Sequence, residues 1–328
     1  YEKSERIATM AKHIAVILNT DHENAYRAGL LCKTDLMTNM VMEFPDVQGV
    51  MGMHYARLDG ESELVALAQN EQYMPRFAGD HLPTSEVSVC VALADKIDSL
   101  VGIFGIGQTP KGDKDPFALR RASIGVLRII VDKELPLDLV NLVDASIATF
   151  GDKIKSENLQ VKVIDFILAR FKYWYAEQGI SAGVVQAVAV NRPTRPADFA
   201  ARVEAVKSFN TLDSSEALAA ANKRVANILA KNAFKDDLPF NRKLLQEPAE
   251  IILANSLESV EARIQPMLNK SDYTNALVVL AELRQPIDEF FENVMVMADD
   301  ESVKLNRLTL LSRLRDLFLC CADISVLN

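Results

Sequence analysis

Five cations crowd the stretch from residue 111 to residue 128: Lys111, Lys114, Arg120, Arg121 and Arg128, four of them within KDPFALRRASIGVLRII. Guanidinium forks match phosphate oxygens two at a time, so the chemistry on offer is anion binding rather than bond making. A phosphate-cradling loop is one candidate, because LVGIFGIGQTPKGDKDP, which leads into the helix, is rich in Gly and Lys. Such a loop needs GxxxxGK followed by Ser or Thr after a strand. Here Lys111 precedes Gly112 and the flanks read as helix, so a surface loop is the better reading. Asp115 supplies an N-cap and Pro116 suits the first helical position, where its missing N–H is not needed. Arg121, Gly125 and Arg128 then share one face, with Phe117, Leu127 and Ile130 turned toward a core. A Gly inside a helix costs about 1 kcal/mol relative to Ala, which implies close approach by another helix or by a nucleic-acid backbone. On periodicity alone, helix packing with the arginines in salt bridges is favoured.

Residues for covalent or metal chemistry are sparse. Cys32, Cys90, Cys320 and Cys321 form no CxxC pair and have no His at ligand spacing, so reduced, mostly buried thiols and a cytosolic, cytoplasmic protein are expected. His13, His22, His54 and His81 are scattered. Formal charge is −9, so any nucleic-acid contact must come from local basic patches. No apolar run reaches the roughly 18 to 20 residues that span a bilayer. The N-terminal YEKSERIATM has no initiator Met and no apolar signal region, and the expectation is a soluble piece of a longer protein.

The elements that position these residues read as helices nearly throughout. Ile7, Met10, Ala11, Ile14, Ile17 and Leu18 recur at steps of three and four, as do Leu305, Leu308, Leu311, Leu314, Leu317, Phe318 and Cys321. The expected fold class is therefore all-α. Pro136 closes a first part at residues 1–137. A helical linker over 138–212 carries FKYWYAEQGI and NRPTRPADF, and a third part over 213–328 opens at a Ser/Asp helix-start signal, TLDSSEALAA. On its first helix Lys223, Asn227 and Lys231 form an i, i+4, i+8 stripe beside Arg224, with Leu218, Val225, Ile228 and Leu229 on the buried side. Periodicity alone makes that stripe a solvated face. Phe171, Tyr173, Trp174 and Tyr175 read as helical core or partner contact, Phe290 and Phe291 as core, and EPAE at Glu247–Glu250 as a helix start favoured by its carboxylates.

The ordered segments LLCKTDLMTNMVMEFPDVQGVMGMHYA, VALADKIDSLVGIF, KDPFALRR, NKRVANIL, LLQEPAE and PIDEFFENVMVMADDESVKLNRLTLLSRLRDLF resemble the β-subunit family of bacterial heterotetrameric glycyl-tRNA synthetases, over the whole chain and as its C-terminal half. The resemblance implies an HD-like helical domain, a helical linker and a helical-bundle anticodon-binding domain of the arginyl-tRNA synthetase type. In the HD-like part, Cys32 and Lys33 stand where an HD metal site has its His-Asp pair, and Asp95 matches the distant Asp. The metal site is thus expected to be degenerate, and no catalytic residue is assigned. The implied role is to bind and orient tRNA(Gly) within an α2β2 assembly whose α subunit carries the ATP- and Mg-dependent chemistry. No cofactor in this chain, no DNA and no membrane partner are expected. Phosphate contacts are assigned to Lys33, Lys111, Lys114, Arg120, Arg121 and Arg128 in the HD-like part. Anticodon-domain contacts are assigned to Asn222, Lys223, Arg224, Asn227, Lys231, Asn241, Arg242, Lys243, Arg307 and Arg313. The competing readings are an HD-type phosphohydrolase and an interaction scaffold without an RNA role.

Overall fold

The computed structural model describes every residue except 155, 233, 235–238 and 328. The described chain is helical, its β content among those residues being one isolated bridge between Lys111 and Lys114. It divides into two compact units, residues 1–174 with 194–197, and residues 175–193 with 198–328.

In the first unit the helices run α1 (Glu2–Ile17), α2 (His22–Leu31), α3 (Asn39–Glu43), α4 (Val50–Leu58), α5 (Glu63–Glu71), α6 (Glu86–Gly105), α7 (Leu119–Asp132), α8 (Leu139–Phe150) and α9 (Leu159–Leu168). The organising element is α6. It starts where the Ser85 side chain accepts from the Ser88 N–H, and it is buried on nearly every side from Val87 to Phe104, as an all-round apolar helix must be. Helices α1, α2, α5, α7, α8 and α9 pack against it. The α1–α2 crossing is close because Gly29 has no side chain: a Cβ there would lie 2.6 Å from the Ala8 Cα. Between α1 and α6 the buried Asp98 is gripped by Lys3 at 3.0 Å and by the Arg6 Nε at 2.6 Å.

α10 (Arg170–Glu177) and α12 (Pro196–Phe209) each contribute residues to both units; the second unit contains α11 (Ala182–Ala189), α13 (Ser215–Lys231), α14 (Pro248–Leu268), α15 (Tyr273–Leu280), α16 (Arg284–Asn293) and α17 (Glu301–Leu319). α14 opens with Pro248 at its first turn and a reciprocal cap between Glu247 and Glu250. α17 packs against α13, α14 and α15, so its buried residues include Asn306, Arg307, Thr309 and Ser312 as well as its leucines.

Candidate nucleic-acid interface

The helix that carries Arg121 begins later than its sequence suggests. α7 starts at Leu119, after Ala118 in the left-handed region at φ 52°. Asp115 still caps it, from further back, by accepting from the Leu119 and Arg120 N–H groups at 2.9 Å each. Pro116 lies in the preceding turn rather than at the first helical position. Phe117, expected in the core, is 46% exposed, because the turn holds it outside the helix's buried stripe. Gly125 is explained by a side chain: a Cβ there would lie 2.8 Å from the Lys96 Cε.

The five cations of this region separate by what holds them. Arg120 donates to the Gly112 carbonyl and so pins the loop. Arg128 is half-buried and donates to the Asp80 carbonyl at 3.0 Å, which turns it inward rather than toward a ligand and removes it from the phosphate contacts assigned above. Lys111 and Lys114 are exposed, and their main chains bond one another. Arg121 is exposed, with no hydrogen bond or ion pair among the described residues.

Lys33 also requires correction as a phosphate contact. Its ammonium donates to the Gln72 Oε1 at 2.8 Å and to the Asp95 Oδ2 at 3.0 Å, and it lies 4.4 Å from the centre of the Tyr73 ring. Burial opposes its charge, but the Asp95 carboxylate beside it outweighs that and holds the ammonium above the ordinary lysine range. Burial would likewise raise Asp95, yet Lys33 and Lys3 hold its carboxyl well below the usual carboxylate range. The second Asp95 oxygen lies 3.1 Å from the Lys3 ammonium without a well-directed hydrogen bond. Cys32 is fully buried, and burial pushes its thiol up to about 12, so it is protonated at neutral pH. Among the described residues no group of three or more His, Cys, Asp or Glu side chains could hold a metal ion. A lysine ammonium occupies the carboxylate that a metal would need.

Beside this ion pair opens a cleft of about 640 Å³, lined by Gln72, Tyr73, Asp95, Lys96, Phe117 and Arg121 among others. Of these, Lys96 and the cleft itself were not assigned from the sequence. The available signal was a lysine set between Asp95 and Asp98 in a helix whose other residues are mostly apolar, where a charge must have a specific reason to stay.

In the second unit the stripe on α13 faces outward as its spacing predicts: Lys223, Arg224, Asn227 and Lys231 are exposed, while Leu218 and Val225 are buried and Ile228 and Leu229 half-buried. The Arg224 guanidinium lies 4.0 Å from the centre of the Phe291 ring, which holds its plane in place. Phe290 is fully buried against Phe291. Asn222 is a correction. It is buried and donates to the Leu218 carbonyl at 3.1 Å, since its position falls on the inner face one step before the stripe.

Arg307 is a second correction. Its Nε lies 2.6 Å from a Glu250 carboxylate oxygen in a fully buried pair, and its Nη1 donates to the Met295 carbonyl at 2.8 Å. It locks α17 to the start of α14 and offers nothing to solvent. Asn241 accepts from the Lys243 N–H with its side chain and pairs through its backbone with Asn306, which shapes the loop. Arg242 is exposed but bound to Glu258 at 2.6 Å and to Asn255. Lys243 is exposed, and Arg313 lies 3.3 Å from Glu261 and over the Phe240 ring. The exposed cations of α13, with Lys243 and Arg313, offer donors to phosphate oxygens, and the Asn227 amide offers a base edge both a donor and an acceptor.

Residues 1–190 match the family model described as Glycyl-tRNA synthetase beta subunit, and residues 218–324 match the DALR anticodon binding domain. Similar chains include the "Glycine--tRNA ligase beta subunit" of Pseudoalteromonas atlantica at 62% identity, that of Pseudoalteromonas translucida at 60% and that of Edwardsiella ictaluri at 59%. Each alignment covers 100% of this chain and 48% of the relative. The chain thus spans about half the length of the curated relatives it matches.

Proposed function

The chain belongs to the glycyl-tRNA synthetase beta-subunit family, and from that membership we propose that it captures and orients tRNA(Gly) for an α subunit that performs the ATP- and Mg-dependent glycylation. The observation that carries the proposal is the coincidence of the anticodon-binding match with an outward stripe of Lys223, Asn227 and Lys231 beside a stacked Arg224. Unpaired anticodon bases are read by side-chain hydrogen bonds and by stacking, and α13 presents both kinds of group. Lys111, Lys114 and Arg121 in the first unit supply phosphate contacts that set register without reading sequence. No residue of this chain is given a covalent step. Its contribution is proximity: a tRNA held in one orientation brings its acceptor end to a distant active site as an effectively unimolecular reactant.

The test is to titrate tRNA(Gly) and an anticodon-swapped variant into this chain at several salt concentrations. The proposal expects tRNA(Gly) to bind more tightly and affinity to fall steeply with salt, since phosphate contacts release counterions. Equal affinity for both RNAs removes the anticodon-reading part. Salt-independent binding, or none, removes the RNA role and leaves an interaction scaffold.

A further inference from the structure

The aromatic run of α10 has no part in tRNA capture as proposed, and the structure splits it. Phe171 and Tyr175 are buried, at i and i+4 on the inner face, and Trp174 stacks on Phe171 with ring centres 5.9 Å apart. Tyr173 points the other way and is 57% exposed. A single exposed aromatic is ordinary on a protein surface, so exposure alone gives it no role. The side chain lying against it is less ordinary. The Arg170 guanidinium, one turn earlier, sits 4.8 Å from the centre of the Tyr173 ring and 5.1 Å from that of Phe166.

Among the described residues the half-buried Arg170 has no hydrogen bond and no ion pair. Its Nε is buried without a partner, whereas its two Nη nitrogens are not buried. Burial pulls the guanidinium below the ordinary arginine range, helped by the charge of Arg120 and opposed by Tyr173 and Asp115. Asp115, the acid whose field reaches it, is already in use, because both its oxygens accept from the Leu119 and Arg120 N–H groups. In a chain with 45 acidic and 36 basic residues, Arg170 and its cationic neighbour are thus left with no free carboxylate between them. Bracing two rings does not require that arrangement. A planar cation with open Nη groups beside an open aromatic ring does match one nucleotide of a single strand, where the cation takes phosphate oxygens and the ring takes the base.

We propose that Tyr173 and Arg170 form a platform for one unpaired base of the bound RNA, the base stacking on the open part of the Tyr173 ring and the neighbouring phosphate taken by the Arg170 Nη groups. The platform deepens tRNA capture and rests on it for the source of the base. It lies outside the anticodon-binding match, which begins at residue 218. Every base has a face to stack, so this contact adds affinity without reading the anticodon.

The experiment measures the affinity of the full chain for tRNA(Gly), its anticodon-swapped variant and single-stranded hexaadenylate, by fluorescence anisotropy at several salt concentrations. Tyr173→Leu is expected to weaken all three about tenfold or more. The salt slope and the thermal midpoint should not move, because the side chain is exposed and uncharged. Tyr173→Phe keeps the ring and should keep the affinity. Arg170→Met should lower the slope of log affinity against log salt by about one. Tyr173→Leu binding all three RNAs as the parent does, or Tyr173→Phe losing as much as Tyr173→Leu, overturns the platform, and an unchanged slope in Arg170→Met overturns its phosphate contact. Salt-dependent tRNA(Gly) binding that Tyr173→Leu leaves unaltered sinks this inference alone. Hexaadenylate bound through Tyr173 by a chain that binds no tRNA keeps the platform and sinks tRNA capture, and a chain that binds neither sinks both.

Discussion

Replacing Arg307 by Met tests whether a cation on the anticodon-binding unit serves RNA or the fold. Arg307 and Glu250 are 5% and 0% exposed, 2.6 Å apart. The other Glu250 oxygen accepts from the Gln246 and Glu247 N–H groups at 2.7 Å each. Met keeps most of the apolar stem but strands a buried carboxylate, and breaking a buried pair from one side costs about 3–5 kcal/mol. For a unit of this size, with about 2–4 °C per kcal/mol, the thermal midpoint should fall by about 10 °C. Adding Glu250→Gln should recover part of that loss, since the amide oxygen can still accept from the two N–H groups and no charge remains buried. A double-mutant cycle in urea, followed by circular dichroism, reads the coupling.

A pH series gives an independent check on the same pair. Burial pushes the Glu250 carboxyl up, but Arg307 and the backbone N–H groups outweigh this and hold it below its ordinary 4.5. Its contribution is therefore complete above that value and is lost as pH falls through the lower folded-state value. The variant should lack this acid-side loss. An unchanged midpoint in Arg307→Met, together with weakened tRNA binding, would refute the buried pair and return Arg307 to the RNA surface.

Three further outcomes follow from the geometry. Gly125→Ala should destabilise the first unit despite a gain of about 1 kcal/mol in helix propensity, because the new methyl meets the Lys96 Cε at 2.8 Å and overpacking costs about 1–3 kcal/mol; urea midpoints decide the sign. Lys223→Ala and Lys231→Ala should each reduce the slope of log affinity against log salt for tRNA(Gly) by about one, and unchanged slopes would take both residues off the RNA. Purified protein with added Mn²⁺ or Co²⁺ should hydrolyse no nucleotide, given that Lys33 holds Asp95 at 3.0 Å; hydrolysis abolished by Asp95→Ala would establish the phosphohydrolase reading.

Helical periodicity carried the fold because a 3.6-residue repeat is set by local geometry alone. Even so, the α1 stripe ends a turn early: Ile14 is buried, while Ile17 is 39% exposed. Two of the misassigned residues share a cause. Arg307 lies 57 positions from Glu250 and Lys33 lies 62 from Asp95, and partners so distant leave no mark on a local pattern. Polarity then reads as exposure, although α17 is covered on more than one side and buries Asn306, Arg307, Thr309 and Ser312. The α13 stripe was legible because its side chains are exposed, so spacing and solvent exposure agree.

With a formal charge of −9, most surface arginines here already face carboxylates: Arg27 with Glu61, Arg57 with Glu63, Arg242 with Glu258 and Arg263 with Glu282. Each exposed pair is worth only about 0–1 kcal/mol, so a phosphate could displace the acid cheaply. The displaced carboxylate, however, would remain beside the phosphate and repel it, cancelling much of the gain. Cations without an acid partner carry no such penalty, and among the described residues Lys111, Lys114, Arg121, Lys231 and Lys243 have none. Attraction to RNA should therefore follow the unpartnered cations rather than the total. It follows that Arg242→Ala should change tRNA affinity less than Lys243→Ala, although the two are adjacent and both exposed to solvent. The reverse order would mean that the Arg242–Glu258 pair opens for the ligand.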